Sequence, residues 1–231
     1  MPAPLNPFKQ ALLRGDRQIG CWLTLAEAIT TEIMGTAGFD WLVIDGEHAP
    51  NDLRSIRDQM LALAASPSHP VVRVPIGETW LIKQVLDLGA QTILVPMVES
   101  AGQARDLVRA MRYPPGGTRG VGAMGARATG FGAMDDYIQT VDGIDGVFIG
   151  PADLSTDMGY QGNAAAPEVQ QAIADAVARI RAAGRTPGLL GITPDSTRAY
   201  ADMGAQFLAV GIDALLLAQS ARALAAQWHR L

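Results

Sequence analysis

The sequence predicts an α/β fold: one barrel of parallel strands with helices outside it, formed as a single domain over residues 1–231. Three observations predict this. At 231 residues the chain is long for one ordinary domain but typical of one such barrel. Short apolar runs alternate with helix-period segments along its length. Those runs are near-continuous rather than alternating, as expected of strands covered on both faces in a parallel sheet.

The elements follow in order. Gln18–Thr24 reads as the first strand and residues 26–37 as its helix, closed by Gly38. The second strand is Trp41–Asp45, followed by a helix to about Ala65 with Asn51 or Asp52 as N-cap. Pro70–Pro75 is the third strand and Thr79–Leu88 its helix; Thr92–Val98 and Ser100–Arg112 make the fourth pair. Later come the strand Gly146–Gly150, the helix Pro167–Ala183, the strand Pro187–Ile192 and the helix Asp195–Met203. The strand Phe207–Val210 and the helix Ala214–Trp228 end the chain. This alternation is one strand short of a closed eight-stranded barrel. Between Tyr113 and Gly146 stand only a Gly/Pro-rich loop from Pro114 and a short helical piece over Met134–Thr140, with no β-rich apolar run. A closed barrel cannot lose one strand and keep its shear and tilt.

Composition narrows the function. Hydrophobic residues are 48% of the chain, enough for a large core, and no window approaches the length of a membrane span. The N-terminus shows no secretory signal, and the one cysteine, Cys21, excludes an intrachain disulfide; both fit the cytoplasm. A net charge of −5 without a basic run argues against nucleic acid. Histidines are three, His48, His69 and His229, so oxygen ligands and a hard divalent cation are expected of any metal site.

Two apolar runs break off into polar knots. Phe39–Ile44 ends in Asp45-Gly-Glu47-His48, and Gly146–Ile149 ends in Gly150-Pro-Ala152-Asp153. The C-terminal ends of barrel strands are where chemistry is done. His48 is the expected general base, since an imidazole titrates near neutrality; the plain alternative is a solvated turn. Asp45 could orient it, and Asp87 is a second candidate partner whose alternative is an exposed helix position. Arg73 lies inside a central-strand pattern, so it faces solvent at an edge or stabilises an oxyanion such as an enolate. Asp153 either caps a turn or binds metal, with exposed amides near Gly150 and Ala152 holding a carboxylate. Trp22 walls a pocket or packs. Arg119 could bind an anion, but its loop is no Walker sequence. A Schiff-base mechanism is disfavoured, because Lys9 and Lys83 are the only lysines and neither lies in a strand.

At these residues the chain resembles the HpcH/HpaI family of metal-dependent pyruvate aldolases, in the branch of the 4-hydroxy-2-oxoheptane-dioate aldolases and their hydroxypyruvate-accepting relatives. The resemblance covers essentially the whole chain. It is specific in Phe39-Asp-Trp-Leu-Val-Ile-Asp-Gly-Glu-His, Pro70-Val-Val-Arg-Val, Ile93-Leu-Val-Pro-Met-Val, Arg112-Tyr-Pro-Pro-Gly-Gly-Thr-Arg-Gly-Val-Gly and Asp145-Gly-Val-Phe-Ile-Gly-Pro-Ala-Asp. It implies a (β/α)8 TIM barrel that reversibly cleaves 4-hydroxy-2-oxo acids into pyruvate, or hydroxypyruvate, and an aldehyde. It implies His48 as base aided by Asp45 and Asp87, Arg73 on the enolate, and Ala152 contacting the substrate carboxylate. Asp153 would hold Mg²⁺, Mn²⁺ or Co²⁺, and the chain would assemble as a homo-oligomer, a hexamer as in the family. The departure is the family's fifth strand, with its Gln-x-Glu motif and second metal ligand. Here Thr140 runs into Val141, about 25–30 residues short by the usual barrel length. A chain so shortened is expected to bind metal weakly and to be unstable or inactive. The other readings are a CoA-ester lyase of the same superfamily and a catalytically silent barrel.

Overall fold

The computed structural model describes residues 5–122, 125–134 and 144–228. Its strands are β1 (Gln18–Leu23), β2 (Trp41–Asp45), β3 (His69–Arg73), β4 (Ile93–Leu94), β5 (Gly146–Ile149), β6 (Thr186–Leu190) and β7 (Phe207–Ile212). Its helices are α1 (Pro7–Arg14), α2 (Ala28–Gly35), α3 (Leu53–Ala62), α4 (Thr79–Asp87), α5 (Ala101–Met111), α6 (Pro151–Asp157), α7 (Pro167–Ala182), α8 (Pro194–Met203) and α9 (Asp213–Trp228). This is an α/β fold of parallel strands. The described residues fall into two compact units, one within Met1–Pro7, Trp22–Gly143 and Ile212–Leu231, the other Phe8–Cys21 with Ile144–Gly211. The expected helical piece over Met134–Thr140 and the junction at Thr140–Val141 lie outside the described residues but for Met134.

In the first unit β2 pairs in parallel with β3, and β3 with β4. Every residue of β2 is buried, which is why its sequence carries no polar alternation. The core on the α4 and α5 side is Ile82, Leu86, Leu107 and Ala110, joined by Ile93, Val95 and Met111. α3 starts where Asp52 accepts hydrogen bonds from the backbone N–H groups of Arg54 and Ser55, while the Ser55 hydroxyl accepts from Asp52 N–H, a reciprocal cap. The fourth strand is far shorter than its sequence suggests. Pro96 has no N–H for the ladder, and Met97 takes a left-handed φ of 54°. Its carbonyl instead accepts from Gln103 Nε2 at 3.2 Å.

In the second unit β5 pairs with β6 and β6 with β7, all parallel. Val169, Ile173 and Val177 of α7 pack with Leu189, Tyr200 and Leu208. Gly188 is required here, since a Cβ would overlap the Phe207 ring. Two helices escaped the sequence reading. α1 sets Phe8 edge-on to Phe207, ring centroids 6.0 Å apart, and ties Lys9 to Asp145 at 3.0 Å. α6 follows β5 at once, with Pro151 in its first turn. No helix among the described residues is long and apolar enough to cross a membrane.

Candidate active site

Asp45 and Arg73 are register partners at the C-terminal ends of adjacent parallel strands, so their side chains share one face. Arg73 Nε donates to Asp45 Oδ1 at 2.8 Å and Nη2 donates to Oδ2 at 2.7 Å, a two-pronged carboxylate–guanidinium pair. Asp45 is only 1% exposed. Its Oδ1 also accepts from the backbone N–H groups of Glu47 at 2.9 Å and His48 at 3.3 Å, so one carboxylate sets both the guanidinium and the turn behind it. Burial alone would push the Asp45 carboxyl up. The Arg73 hydrogen bonds and charge, with the two N–H groups, outweigh that and hold it below its ordinary value.

Gly46 makes the turn possible. Its N–H donates to Arg73 O at 2.8 Å, and a Cβ would stand 2.6 Å from that same oxygen. Behind the turn, Asn51 Nδ2 donates to Asp45 O at 2.7 Å, and Asn51 Oδ1 accepts from the Ser55 hydroxyl and Gln59 Nε2. The polar residues opening α3 thus buttress the strand end.

Glu47 completes the cluster. Its Oε2 lies 2.5 Å from Arg73 Nη1, and its Oε1 lies 3.8 Å from Nε2 of His48, whose side chain is 70% exposed. The Arg73 guanidinium also sits 5.3 Å from the Trp22 ring centroid. Trp22 in turn meets Trp41 edge-on at 6.3 Å. With Asp45 taking two of its five N–H donors and Glu47 facing a third, the guanidinium keeps two for an incoming oxyanion.

His48, Arg73, Asp45 and Trp22 are brought together. Asp45 touches the backbone of His48, not its ring. Asp87 ends α4 and accepts from Arg119 Nη2 at 2.6 Å. Arg119 is fully buried, 4.5 Å from the Tyr113 ring centroid, so the pair anchors its loop on α4. Glu47 stood in the polar knot of the sequence without a role at His48 or Arg73. Its place between the buried Asp45 and His48, just past the end of β2, was the available signal. Asp213, also missed, is a buried strut: it accepts from Thr24 N–H and hydroxyl at 2.8 Å each and from Ala214 N–H at 2.7 Å.

In the second unit, Gly150 precedes α6 and Asp153 stands in that helix's first turn, exposed, as is Ala152. The Asp153 carboxylate turns back over Gly150, where a Cβ would collide with it. Among the described residues, no group of three or more His, Cys, Asp or Glu side chains gathers to hold a metal ion. An exposed Asp153 fits a hard cation completed mainly by water and substrate oxygens.

An exposed imidazole stands beside an anchored guanidinium at the C-terminal ends of parallel strands, the end where barrel enzymes carry their chemistry. Residues 18–220 match the family model described as HpcH/HpaI aldolase/citrate lyase, and the chain belongs to that family. It is 56% identical to a hydroxypyruvate/pyruvate aldolase of Roseovarius nubinhibens, with 99% of each chain covered. It is 48% identical to a 4-hydroxy-2-oxo-heptane-1,7-dioate aldolase of Salmonella dublin, covering 96% of this chain and 94% of the relative. The crystal structure of a family protein from Burkholderia cenocepacia J2315 superposes with a TM-score of 0.92 at 36% identity, over 98% of this chain and all of that one.

Proposed function

We infer that the protein is a carbon–carbon lyase, a class II pyruvate aldolase that reversibly cleaves 4-hydroxy-2-oxo acids into pyruvate or hydroxypyruvate and an aldehyde. The observation that carries this is the Asp45–Arg73–Glu47–His48 cluster, read with the aldolase names of the relatives. In the cleavage direction His48 takes the proton of the C4 hydroxyl. The C3–C4 bond breaks, C4 leaves as the aldehyde, and the electron pair becomes the pyruvate enolate, whose oxygen Arg73 holds. The His48 imidazolium then returns that proton to C3, which releases pyruvate and restores the base. Gly150 and Ala152 offer backbone contacts for the substrate carboxylate, Trp22 walls the guanidinium, and Asp87 assists by holding its loop through Arg119. A divalent ion such as Mg²⁺, Mn²⁺ or Co²⁺, held by Asp153, supplies Lewis-acid polarisation of the keto oxygen when bound.

The finer architecture in this reading is a (β/α)8 barrel without its fifth βα unit. The alignment with the Roseovarius aldolase runs over 254 positions, although this chain has 231 residues. At least 23 positions therefore have no residue here, close to one βα unit, which supports the reading. One carboxylate should then hold metal weakly. Mn²⁺ titration calorimetry is expected to give weak binding, and tight binding once a fifth unit is restored; tight stoichiometric binding by the 231-residue chain would contradict this account.

The exposed Leu216, Leu217 and Leu224 of α9 support a homo-oligomer, a hexamer in this reading; light scattering that shows a monomer at micromolar concentration would contradict it. Cys21, buried and in no disulfide, suits a cytoplasmic enzyme. The activity itself is tested by coupled pyruvate release from 4-hydroxy-2-oxo acids with millimolar Mn²⁺. Any turnover by the 231-residue chain should be abolished by EDTA, and turnover indifferent to EDTA would exclude the metal-dependent reading.

A further inference from the structure

The base needs a partner that fixes where its ring stands, and the two carboxylates that the sequence offered for this are already committed. Asp45 spends both oxygens on Arg73 and on the backbone of the turn. Asp87 gives Oδ1 to Arg119. It also ends a nine-residue helix that opens just past β3, roughly 13 Å from the strand ends at 1.5 Å per residue. Among the described residues, the carboxylate within ion-pair distance of the His48 ring is that of Glu47.

Glu47 is unlike a solvated surface glutamate. Its side chain is 16% exposed, against 70% for His48. One oxygen is pinned by the Arg73 guanidinium, itself fixed by Asp45 and lying against Trp22. The other oxygen points to Nε2 of His48. The groups facing this carboxylate are thus Arg73 from β3 and His48 from its own turn. It bridges the cation that holds the enolate and the imidazole that takes the proton.

We propose that Glu47 is a positioning residue that holds the His48 ring in place from the Arg73 guanidinium. This rests on the aldolase reading of the same site. At 3.8 Å the separation is too long for a hydrogen bond. It closes when the imidazole gains the substrate proton, because the imidazolium then faces a fixed negative charge. The contact is stronger in the transition state than in the resting enzyme, which is the kind that raises kcat and leaves KM alone. Both the length and the charge of the side chain matter: aspartate is one methylene short of spanning Arg73 and His48, and glutamine lacks the charge.

The test compares the wild type with Glu47→Gln and Glu47→Asp, assayed with millimolar Mg²⁺ and followed by NMR of the His48 ring. Both variants are expected to lose about tenfold in kcat, with KM within about twofold and the melting temperature within a few degrees. The His48 ring signals should sharpen in both as the ring gains freedom, whether or not the protein turns over. Wild-type kcat in either folded variant, or unchanged ring signals, would overturn the proposal. If the wild type releases no pyruvate, the aldolase reading fails, and the ring signals alone decide whether Glu47 holds the imidazole. If Glu47→Gln does not fold, Glu47→Asp decides by the same criteria.

Discussion

The two ends of β3 carry polar residues of opposite character. At the C-terminal end, Arg73 pairs with two carboxylates beside an imidazole that is 70% exposed. At the N-terminal end, His69 is buried, with Nε2 2.8 Å from the Thr92 hydroxyl, which also accepts from Asn6 Nδ2 at 2.9 Å. Both ends answer the same physical demand, that a polar group leaving water must find partners. One answers it with charges and leaves N–H donors and an imidazole open to a ligand. The other answers it with neutral hydrogen bonds and leaves nothing to react. The difference teaches that, within one strand, the end that keeps charge is the end equipped for chemistry, as expected of barrel strands.

The sharpest way to break the comparison is to remove Arg73. Arg73→Ala is expected to cost about 10²–10³-fold in turnover, and Arg73→Lys should recover little, because an ammonium cannot span Asp45 as the fork does. The same change leaves Asp45 buried without its cation, so urea unfolding should show a loss of about 3 kcal/mol. Near-normal pyruvate release by Arg73→Ala would end the oxyanion assignment.

A pH series of stability separates the two ends. Burial lowers His69 from 6.5 to about 4, so the unfolded chain takes up this proton before the folded one does. Stability should therefore fall as pH drops from about 6.5 to about 4, by about 3 kcal/mol in all, and His69→Gln should flatten that segment. Asp45 acts later. With its folded value below the ordinary one, its contribution is full above the ordinary carboxylate range and is lost as pH falls through the lowered value. A series unchanged by His69→Gln would mean that the N-terminal end is less dry than described.

The Asp87–Arg119 pair sharpens the point from a third place. Arg119 is the more buried partner, so Asp87→Ala, which strands its charge, is expected to cost about 3 kcal/mol, and Arg119→Met clearly less. Equal losses, read by thermal unfolding, would contradict that asymmetry. The smallest effect is at the buttress of the active end: Asp52→Ala should slightly lower the melting temperature by removing the cap of α3.

The active end was largely legible because its signals are local. Four consecutive buried apolar residues, Trp41–Ile44, make β2 a continuous apolar run, and the polar knot begins with the buried Asp45 that follows them. Asp45, His48 and Arg73 could be named from that pattern. What Asp45 and Glu47 touch could not, because it depends on the register of β2 against β3, which places Asp45 opposite Arg73. The burial of Arg119 depends on a contact 32 residues away in sequence, and no spacing rule reveals it. α1 and α6 were missed although each begins with proline in its first turn, a known start signal; both are too short for the apolar period to show. The fourth strand was overread because Val95–Val98 looks β-rich, while Pro96 and the left-handed Met97 take it out of the ladder.

The central claim is that this strand-end cluster moves a proton, with His48 as the base. Deuterium exchange at C3 of pyruvate, followed by NMR in D₂O with millimolar Mg²⁺, tests it without needing the aldehyde partner. The wild type should wash deuterium into the methyl group, and His48→Ala should reduce that exchange to the uncatalysed rate while keeping its fold. Exchange at the wild-type rate by folded His48→Ala would contradict the account.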